Sequence, residues 1–212
     1  VACSKLGAKV IITGRNSVRL EDTYSKLGAG CEQILADFYN DEDVCHLSDH
    51  VGGLDGVVHS AGIANTIPFK FINKNKLKGI FDVNLFAPVV LMQQLLKKKK
   101  ISNYASIVFL ASIDGPVTAH MGNSMYGATK AAVCAMTKGL AVELAARNIR
   151  VNAILPGMVD TPMNQTGNIT EEQLEEDKRR YPLKRYARPD EIAYAAIYFL
   201  SDASTFTTGA SL

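Results

Sequence analysis

A tyrosine and a lysine stand four residues apart in the stretch SMYGATKAAV at 124–133, as Tyr126 and Lys130. On an α-helix, positions i and i+4 lie one above the other on the same face, so a phenol and an ammonium group can share one site. A free tyrosine has a pKa of about 10 and is a weak acid at neutral pH. A neighbouring ammonium group favours the phenolate, and we expect it to lower this pKa. The spacing therefore predicts an acid/base pair on one helical face.

The elements that must position this pair are predicted to alternate along the chain. Short β-branched runs predict strands at 9–13, 32–36, 56–59, 105–112 and 150–156. Helical spacing predicts helices at 17–27, 41–51, 73–99, 124–147 and 189–201. Several of the strands are apolar on both faces, as strands of a parallel sheet covered by helices must be. The alternation predicts an α/β fold with a doubly wound parallel sheet of Rossmann type, in a single domain that covers 1–212.

Both ends of the chain predict interrupted elements. The first residues have the pattern of a helix end that Gly7 closes before the first strand. At the other end, TTGASL stops where an apolar run begins. We therefore expect an incomplete domain that lacks a strand and a glycine-rich turn before Val1 and a strand after Leu212. The GAGC stretch at 28–31 does not replace that turn, because it precedes a strand and does not open a helix.

Composition and charge argue against several classes of partner. The chain has 212 residues, 47% hydrophobic and 21% charged, and its formal net charge is +2 with both signs interspersed. These values are typical of a globular domain and give no basic field for nucleic acid or a membrane surface. No apolar segment is expected to reach the ~18 to 20 residues that span a bilayer. The four cysteines form no CxxC pair, and His46 and His50 are expected on a helix surface, so we expect no metal site and a cytoplasmic protein.

Seven short motifs stand in order along the chain. They are GAKVIITGRN at 7–16, LADF at 35–38, HSAG at 59–62, DVN at 82–84, ASIDG at 111–115, YGATK at 126–130 and PGMVDTPM at 156–163. Over nearly the whole chain this order resembles the short-chain dehydrogenase/reductase family of classical type. The resemblance implies hydride transfer between a nicotinamide ring and a carbonyl or alcohol group. One motif departs from the family's Asn-Asn-Ala-Gly, because His59 and Ser60 replace the two amides.

The resemblance also implies four catalytic residues, which are Asn84, Ser112, Tyr126 and Lys130. Hydride transfer to or from a carbonyl requires a proton to move as well, and Tyr126 would be the acid or base that exchanges it. Ser112, at the end of a predicted strand, would donate a hydrogen bond to the substrate oxygen as it gains negative charge. Asn84 would hold a water molecule that leads from the lysine to solvent. Taken singly, each of these residues is better explained as an ordinary strand-end or helix-face residue, and only the motifs together favour catalysis.

The end of the first predicted strand bears on the choice of cofactor. In nicotinamide proteins an acidic residue at the end of the second strand accepts from the ribose 2′-hydroxyl, whereas an arginine accommodates a 2′-phosphate. The first strand predicted here corresponds to that second strand, since one strand is expected to be missing before it. Arg15 stands at this position without an acid and offers a planar fork of donors, so NADP(H) is favoured over NAD(H). With the positions that the resemblance adds, the predicted cofactor-binding residues are Arg15, Asn16, Asp37, Phe38, Ser60, Ala61, Gly62, Tyr126, Lys130, Pro156, Gly157, Val159 and Thr161.

Substrate choice is predicted to lie in the loops around Tyr126, at 113–121, Met158 and a charged segment at 162–188 that is expected to act as a lid. The run PLKRYARPDEIA resembles bacterial 3-oxoacyl-acyl-carrier-protein reductases, which makes a 3-oxoacyl thioester on acyl carrier protein the leading substrate. Sugar, polyol and steroid dehydrogenases have similar runs, and a non-catalytic dinucleotide-binding sensor is the alternative of another class. The small residues Ala128, Ala131, Ala132 and Ala135 suit a helix or a close subunit contact, and the resemblance favours a homodimer or homotetramer.

Overall fold

Five strands and eight α-helices make up the described part of the chain, residues 1–165 and 170–212, in a computed structural model. The strands are β1 Ile11–Gly14, β2 Glu32–Leu35, β3 Leu54–His59, β4 Ile101–Leu110 and β5 Arg150–Ile154. The helices are α1 Ala2–Lys5, α2 Ser17–Tyr24, α3 Asp41–His50, α4 Lys74–Phe81, α5 Ala87–Lys97, α6 Ser124–Leu144, α7 Glu171–Arg180 and α8 Pro189–Leu200. The predicted alternation of strands and helices is confirmed, although β4 begins four residues earlier than the pattern indicated.

The strands pair in parallel, in two groups. β1 pairs with β2, with Ile11 opposite Glu32, and β3, β4 and β5 form a second sheet in which Phe109 lies opposite both His59 and Ala153. Across the described residues β1 and β3 do not pair with each other, and a cleft of about 1060 Å³ lies between them. The predicted α/β fold with parallel strands is confirmed, and its sheet is divided at this cleft.

Both faces of β4 are covered. Ile107 and Phe109 point to one side, where they join the core cluster that includes residues of α3, α5 and α6. Val108 points to the other side and packs with Ala196 and Phe199 of α8. Successive side chains of a strand point to opposite faces, so a stretch covered on both sides is expected to be apolar at successive positions. This covering explains the apolar run at 107–110 and holds the carboxyl end of β4 in a fixed place.

The helix predicted at 73–99 is interrupted in the structure. α4 ends at Phe81, a π-helical turn covers Asp82–Phe86, and α5 continues from Ala87. Pro88 explains the interruption, because proline has no N–H to donate to the carbonyl four residues earlier, and its ring clashes with that carbonyl. The residue four positions earlier is Asn84, which lies inside the π-helical turn. The prediction of one continuous helix is therefore wrong at the position of a predicted site residue.

The stretch Lys74–Lys97 corrects a second expectation. Its 24 residues are long and apolar enough to cross a membrane by length and composition, although no such stretch was expected from the sequence. Leu91, Met92 and Leu95 of this stretch are buried in the core cluster. A helix packed in the core of a folded domain passes the same test, so this stretch is weak evidence for a membrane span.

The two ends of α6 are held in different ways. After a short 3₁₀ turn at Ala145–Arg147, Asn148 adopts the left-handed conformation, with φ of 55°. Asn123 occupies the N-cap position, but its side chain makes no capping hydrogen bond. Its amide donates instead to Asp114, 2.8 Å away. The start of α6 is thus held by a contact with the loop that follows β4.

The coverage of β4 predicts where the fold is most sensitive to lost packing. Ile107 is fully buried, so we expect Ile107→Ala to lower the free energy of unfolding by about 2 to 5 kcal/mol. Val142→Ala on α6 is the control, because Val142 is 79% exposed and should change stability by less than about 0.5 kcal/mol. Urea unfolding followed by circular dichroism measures both. Equal effects from the two variants would contradict the central position of β4.

Candidate active site

The predicted site residues lie where the parallel strands end. Arg15 follows β1, Asp37 follows β2, Ser60 follows β3, Ser112 follows β4 and Pro156 follows β5. Open α/β sheets bind their ligands beyond the carboxyl ends of the strands. The fold therefore gathers residues that are up to 141 positions apart in the chain along one edge of the two sheets.

Asn84 connects the segment after β3 to α6. Its side chain is 2% exposed, accepts from the Ile63 N–H at 2.8 Å and donates to the Ile63 carbonyl at 2.9 Å. The amide also donates to the Thr129 hydroxyl at 3.1 Å, which in turn donates to the Tyr126 carbonyl at 2.7 Å. Asn84 thereby fixes the backbone of the helix turn that carries Tyr126. Its predicted role in holding a water molecule stays a prediction.

Lys130 is buried against the end of β4. Its ammonium group donates to the Leu110 carbonyl at 2.7 Å and lies 5.6 Å from the centre of the Tyr126 ring. Burial disfavours the charged form and lowers the pKa of Lys130 to about 8. A methyl group added to Gly62 would lie 3.5 Å from this nitrogen and 3.4 Å from the Asn84 side-chain oxygen. The backbone at Gly62 therefore closes one side of the lysine's environment.

Tyr126 is partly buried, and its pKa is raised above its ordinary value. Burial is the largest cause, the negative charge of Asp114 adds to it, and hydrogen bonding with Ser112 opposes it. The expected lowering of this pKa is therefore wrong for this arrangement, because burial outweighs the effect of the neighbouring ammonium group, which donates to the Leu110 carbonyl. The hydroxyl keeps its proton at neutral pH and lies within reach of Ser112.

The residues after β1 and β2 differ in whether their side chains form hydrogen bonds within the protein. Arg15 is exposed, its guanidinium lies 5.5 Å from the centre of the Tyr39 ring, and it forms no ion pair with any described residue. Asn16 accepts from the Arg19 N–H at 2.9 Å and caps α2, so its side-chain oxygen serves the helix. Asp37 accepts from the Tyr39 N–H at 3.1 Å. Arg15 is thus the side chain of this group that is free to meet a ligand.

The cleft between β1 and β3 receives three of the predicted cofactor-binding residues. Phe38, Ser60 and Ala61 all line it. Ser60 and Ala61 are exposed, whereas Phe38 is partly buried against the core cluster. The histidine that precedes them, His59, is buried and stacks on Phe109, with ring centres 4.6 Å apart. Burial lowers the pKa of His59 to about 4, so this ring is neutral and belongs to the core.

The loop after β5 lies beside the loop after β4. The Ile113 N–H donates to the Pro156 carbonyl at 3.1 Å, which extends the pairing of the two strands past their ends. Farther on, Val159 pairs with Ala187, the residue before the turn that opens α8. Thr161 follows, partly buried. This loop therefore lies next to Ser112, as a segment that contacts a nicotinamide ring would have to.

The charged segment predicted at 162–188 contains α7. Thr170 caps this helix in a capping box with Gln173, and residues 166–169 of the predicted segment lie outside the described residues. After α7, Tyr181 approaches the site, because a methyl group on Gly157 would lie 3.6 Å from its ring. Closure of the segment as a lid stays a prediction.

Three residues of the site were not singled out from the sequence. Thr129 is fully buried and links Asn84 to α6, Asp114 is a buried acid next to Ser112, and Tyr181 faces the loop after β5. Thr129 shares the helical face of Tyr126 at spacing i, i+3, which is a signal that the sequence carries. Asp114 is the acid of the otherwise uncharged stretch ASIDGPV. Tyr181 has no such signal, because only the fold brings it to the site.

The comparison with known proteins agrees with this architecture. A family model described as Enoyl-(Acyl carrier protein) reductase matches residues 1–212. The 3-oxoacyl-[acyl-carrier-protein] reductase FabG of Rickettsia prowazekii is 32% identical over 209 residues, which cover 98% of this chain and 85% of that protein. The corresponding FabG of Aquifex aeolicus is 30% identical over 211 residues, with 96% and 84% covered.

Solved structures have the same fold. The short-chain dehydrogenase/reductase SDR:Glucose/ribitol dehydrogenase from Brucella melitensis is 31% identical, with a TM-score of 0.88 over 99% of this chain and 85% of that one. A gluconate 5-dehydrogenase from Burkholderia cenocepacia, in complex with NADP and tartrate, is 25% identical, with a TM-score of 0.87 over 99% and 84%. Fold and site together define an α/β oxidoreductase. The chain belongs to the short-chain dehydrogenase/reductase family, whose members use a nicotinamide dinucleotide.

The loop that carries Ser112 packs on α6 without room for a side chain. Gly115 has a φ of +99°, and a Cβ atom added there would lie 2.0 Å from the Gly127 carbonyl oxygen. We expect Gly115→Ala to lower the free energy of unfolding by about 1 to 3 kcal/mol and to abolish turnover, because the loop must move away from Tyr126. Gly139→Ala, in the same helix with open space around it, is the control and should stabilise by up to about 1 kcal/mol. Thermal unfolding that ranks the two variants in the opposite order would contradict this packing.

Proposed function

We propose that this protein is an NADPH-dependent reductase of carbonyl groups, and that its substrate is a 3-oxoacyl thioester carried on acyl carrier protein. The observation that carries the proposal is the convergence of Ser112, Tyr126 and Lys130 at the carboxyl end of β4. The names of the FabG relatives support the substrate. The same convergence argues against a non-catalytic dinucleotide-binding sensor, which would have no need of an acid next to a buried cation.

The described residues fit a dinucleotide along the strand ends. Arg15 is exposed and without an ion-pair partner in the described residues, as a ligand for a 2′-phosphate should be. Ser60 and Ala61 offer an exposed hydroxyl and backbone just after the end of β3, and Gly62 lets the chain approach Lys130 closely. The loop that begins at Pro156 would hold the nicotinamide end. The hydride is what NADPH supplies when it is bound.

The side chains of the site would handle the proton and the charge. Ser112 would donate a hydrogen bond to the carbonyl oxygen as it gains negative charge. Tyr126 would give its proton to that oxygen, and the raised pKa of Tyr126 keeps the proton available at neutral pH. Lys130, whose pKa is about 8, is mostly charged at pH 7 and would stabilise the phenolate that remains. A protonated tyrosine suits reduction of a ketone better than oxidation of an alcohol.

The names of two related structures support a second candidate function. They are a glucose/ribitol dehydrogenase and a gluconate 5-dehydrogenase, which supports sugar or polyol oxidation.

Exposed small residues on α6 bear on the assembly of the protein. Ala128 and Ala135 are exposed, and a second copy could pack closely on them. We infer a homodimer or homotetramer built on this helix, and light scattering measures it.

Removal of the Tyr126 hydroxyl tests the reaction. We expect Tyr126→Phe to lower turnover by about 10²- to 10⁴-fold, because the proton donor is lost while the ring still fills its place. NADPH oxidation is measured with a 3-oxoacyl thioester, an enoyl thioester and a steroid ketone, and NADP⁺ reduction is measured with a sugar and a polyol. Tyr194→Phe, at an exposed position of α8, is the control and should keep full turnover. Tight NADPH binding without turnover of any substrate by the unmodified protein would favour the sensor.

Reversal of the charge at Arg15 tests the choice of cofactor. We expect Arg15→Glu to weaken NADPH binding about 10- to 100-fold relative to NADH, because a carboxylate repels the 2′-phosphate that the guanidinium would bind. Lys26→Glu is the control, since it makes the same change of charge at the far end of the segment after β1, where Lys26 pairs with Asp22. Calorimetric titration with both cofactors measures the ratio. An unchanged ratio in Arg15→Glu would remove the basis for NADP(H).

A further inference from the structure

Asp114 is a buried carboxylate that contacts both sides of the candidate site. It is 6% exposed, one oxygen lies 2.5 Å from the His120 ring nitrogen Nδ1, and the other accepts from the Asn123 amide at 2.8 Å. Its backbone N–H donates to the Ser112 hydroxyl at 3.1 Å. One residue thus joins the loop that carries Ser112 to the residues that precede α6.

These contacts extend to the segment after β3. The Asn123 side-chain oxygen accepts from the Thr66 hydroxyl at 3.1 Å, and the Ile67 N–H donates to the Gly122 carbonyl at 2.9 Å. Three loops at the strand ends are therefore connected around Asp114. An amide could make the same two side-chain contacts, because it can accept from Asn123 and donate to the other tautomer of His120. A buried carboxylate costs more free energy than an amide, so its negative charge calls for a reason beyond the connection itself.

We propose that Asp114 is a positioning residue of this site, which fixes the Ser112 loop against the start of α6 and, by its negative charge, favours the protonated form of the Tyr126 hydroxyl. The inference goes beyond the proposed function, on which it rests for the reaction that needs this proton. In this inference the negative charge of Asp114 acts on the proton of Tyr126, and its two side-chain contacts hold the Ser112 loop in position.

The groups that can change charge around Tyr126 come from three elements. Asp114 and His120 belong to the loop after β4, Lys130 belongs to α6, and Tyr181 follows α7. Burial raises the pKa of Tyr126 and of Tyr181, and the charge of Asp114 adds to both. Asp114 lies against this turn of α6, because a methyl group on Gly127 would lie 3.6 Å from its carbonyl carbon. Lys130 acts in the opposite direction, but its ammonium group donates to a backbone carbonyl, and the pKa of Tyr126 is raised overall. The His120 side chain is 62% exposed, and its ring lies against the Asp114 carboxylate.

The test separates the charge of Asp114 from its contacts. Asp114→Asn keeps both side-chain contacts and removes the charge, whereas His120→Ala removes one contact and leaves the charge. The near-ultraviolet absorbance of tyrosinate is titrated in each variant with and without Tyr126→Phe, and the difference reports Tyr126 alone. Because a nearby negative charge disfavours the phenolate, we expect Asp114→Asn to lower the midpoint of Tyr126 by about 1 pH unit. His120→Ala should not lower the midpoint and should reduce turnover.

Several outcomes decide the inference. In Asp114→Asn an unchanged melting temperature with a lowered midpoint supports it, and the acid limb of alcohol oxidation should move to lower pH by the same amount. An unchanged midpoint in Asp114→Asn would overturn it, as would an equal lowering in His120→Ala, which would point to exposure of the ring. Asp22→Asn, in an exposed ion pair of α2, is the matched control and should leave the midpoint unchanged. The titration requires no turnover, so its result stands apart from any failure of the proposed reaction.

Discussion

The whole site depends on a lysine ammonium group buried at the end of a central strand. Lys130 is 5% exposed and has one hydrogen-bonding partner in the described structure, the Leu110 carbonyl. A buried cation is costly unless hydrogen bonds compensate for the lost water, so its partner must be held in place. Coverage of β4 on both faces holds the Leu110 carbonyl, and the backbone at Gly62, next to the hydrogen-bonded Asn84 side chain, closes another side. The burial that lowers the pKa of Lys130 is thus a consequence of the fold that positions it.

A proline far from the reacting groups supports the same arrangement. Pro88 cannot continue the hydrogen bonding of a regular helix, and the resulting π-helical turn contains Asn84. From that turn the Asn84 side chain contacts Ile63 on one side and Thr129 on the other. The side chain that this π-helical turn presents therefore connects the segment after β3 to α6, the helix that carries Tyr126 and Lys130.

The fold could be predicted from the sequence to the extent that it follows from periodicity and spacing. The i, i+4 spacing of Tyr126 and Lys130 predicted their shared helix, and the apolar runs predicted parallel strands covered on both faces. The consequence of Pro88 for the helix was missed, because a break in one turn barely disturbs the apolar pattern. The direction in which the pKa of Tyr126 is shifted was also predicted wrongly. It depends on how deeply the ring is buried and on Asp114, and neither can be obtained from the spacing of two residues.

Burial acts on the two members of the pair in opposite directions on the pH scale, and this limits what the site can do. Burial raises the pKa of Tyr126 and lowers that of Lys130, since it favours the neutral form of each group. Below about pH 8 the site therefore holds a protonated phenol next to a cation, which is the state that can release a proton and stabilise the phenolate left behind. Above that pH the phenol keeps its proton while the ammonium group loses its charge. In the proposed reaction Tyr126 could then still donate its proton, but without the positive charge that stabilises the phenolate, so we expect the charge state of Lys130 to set the upper pH limit of turnover.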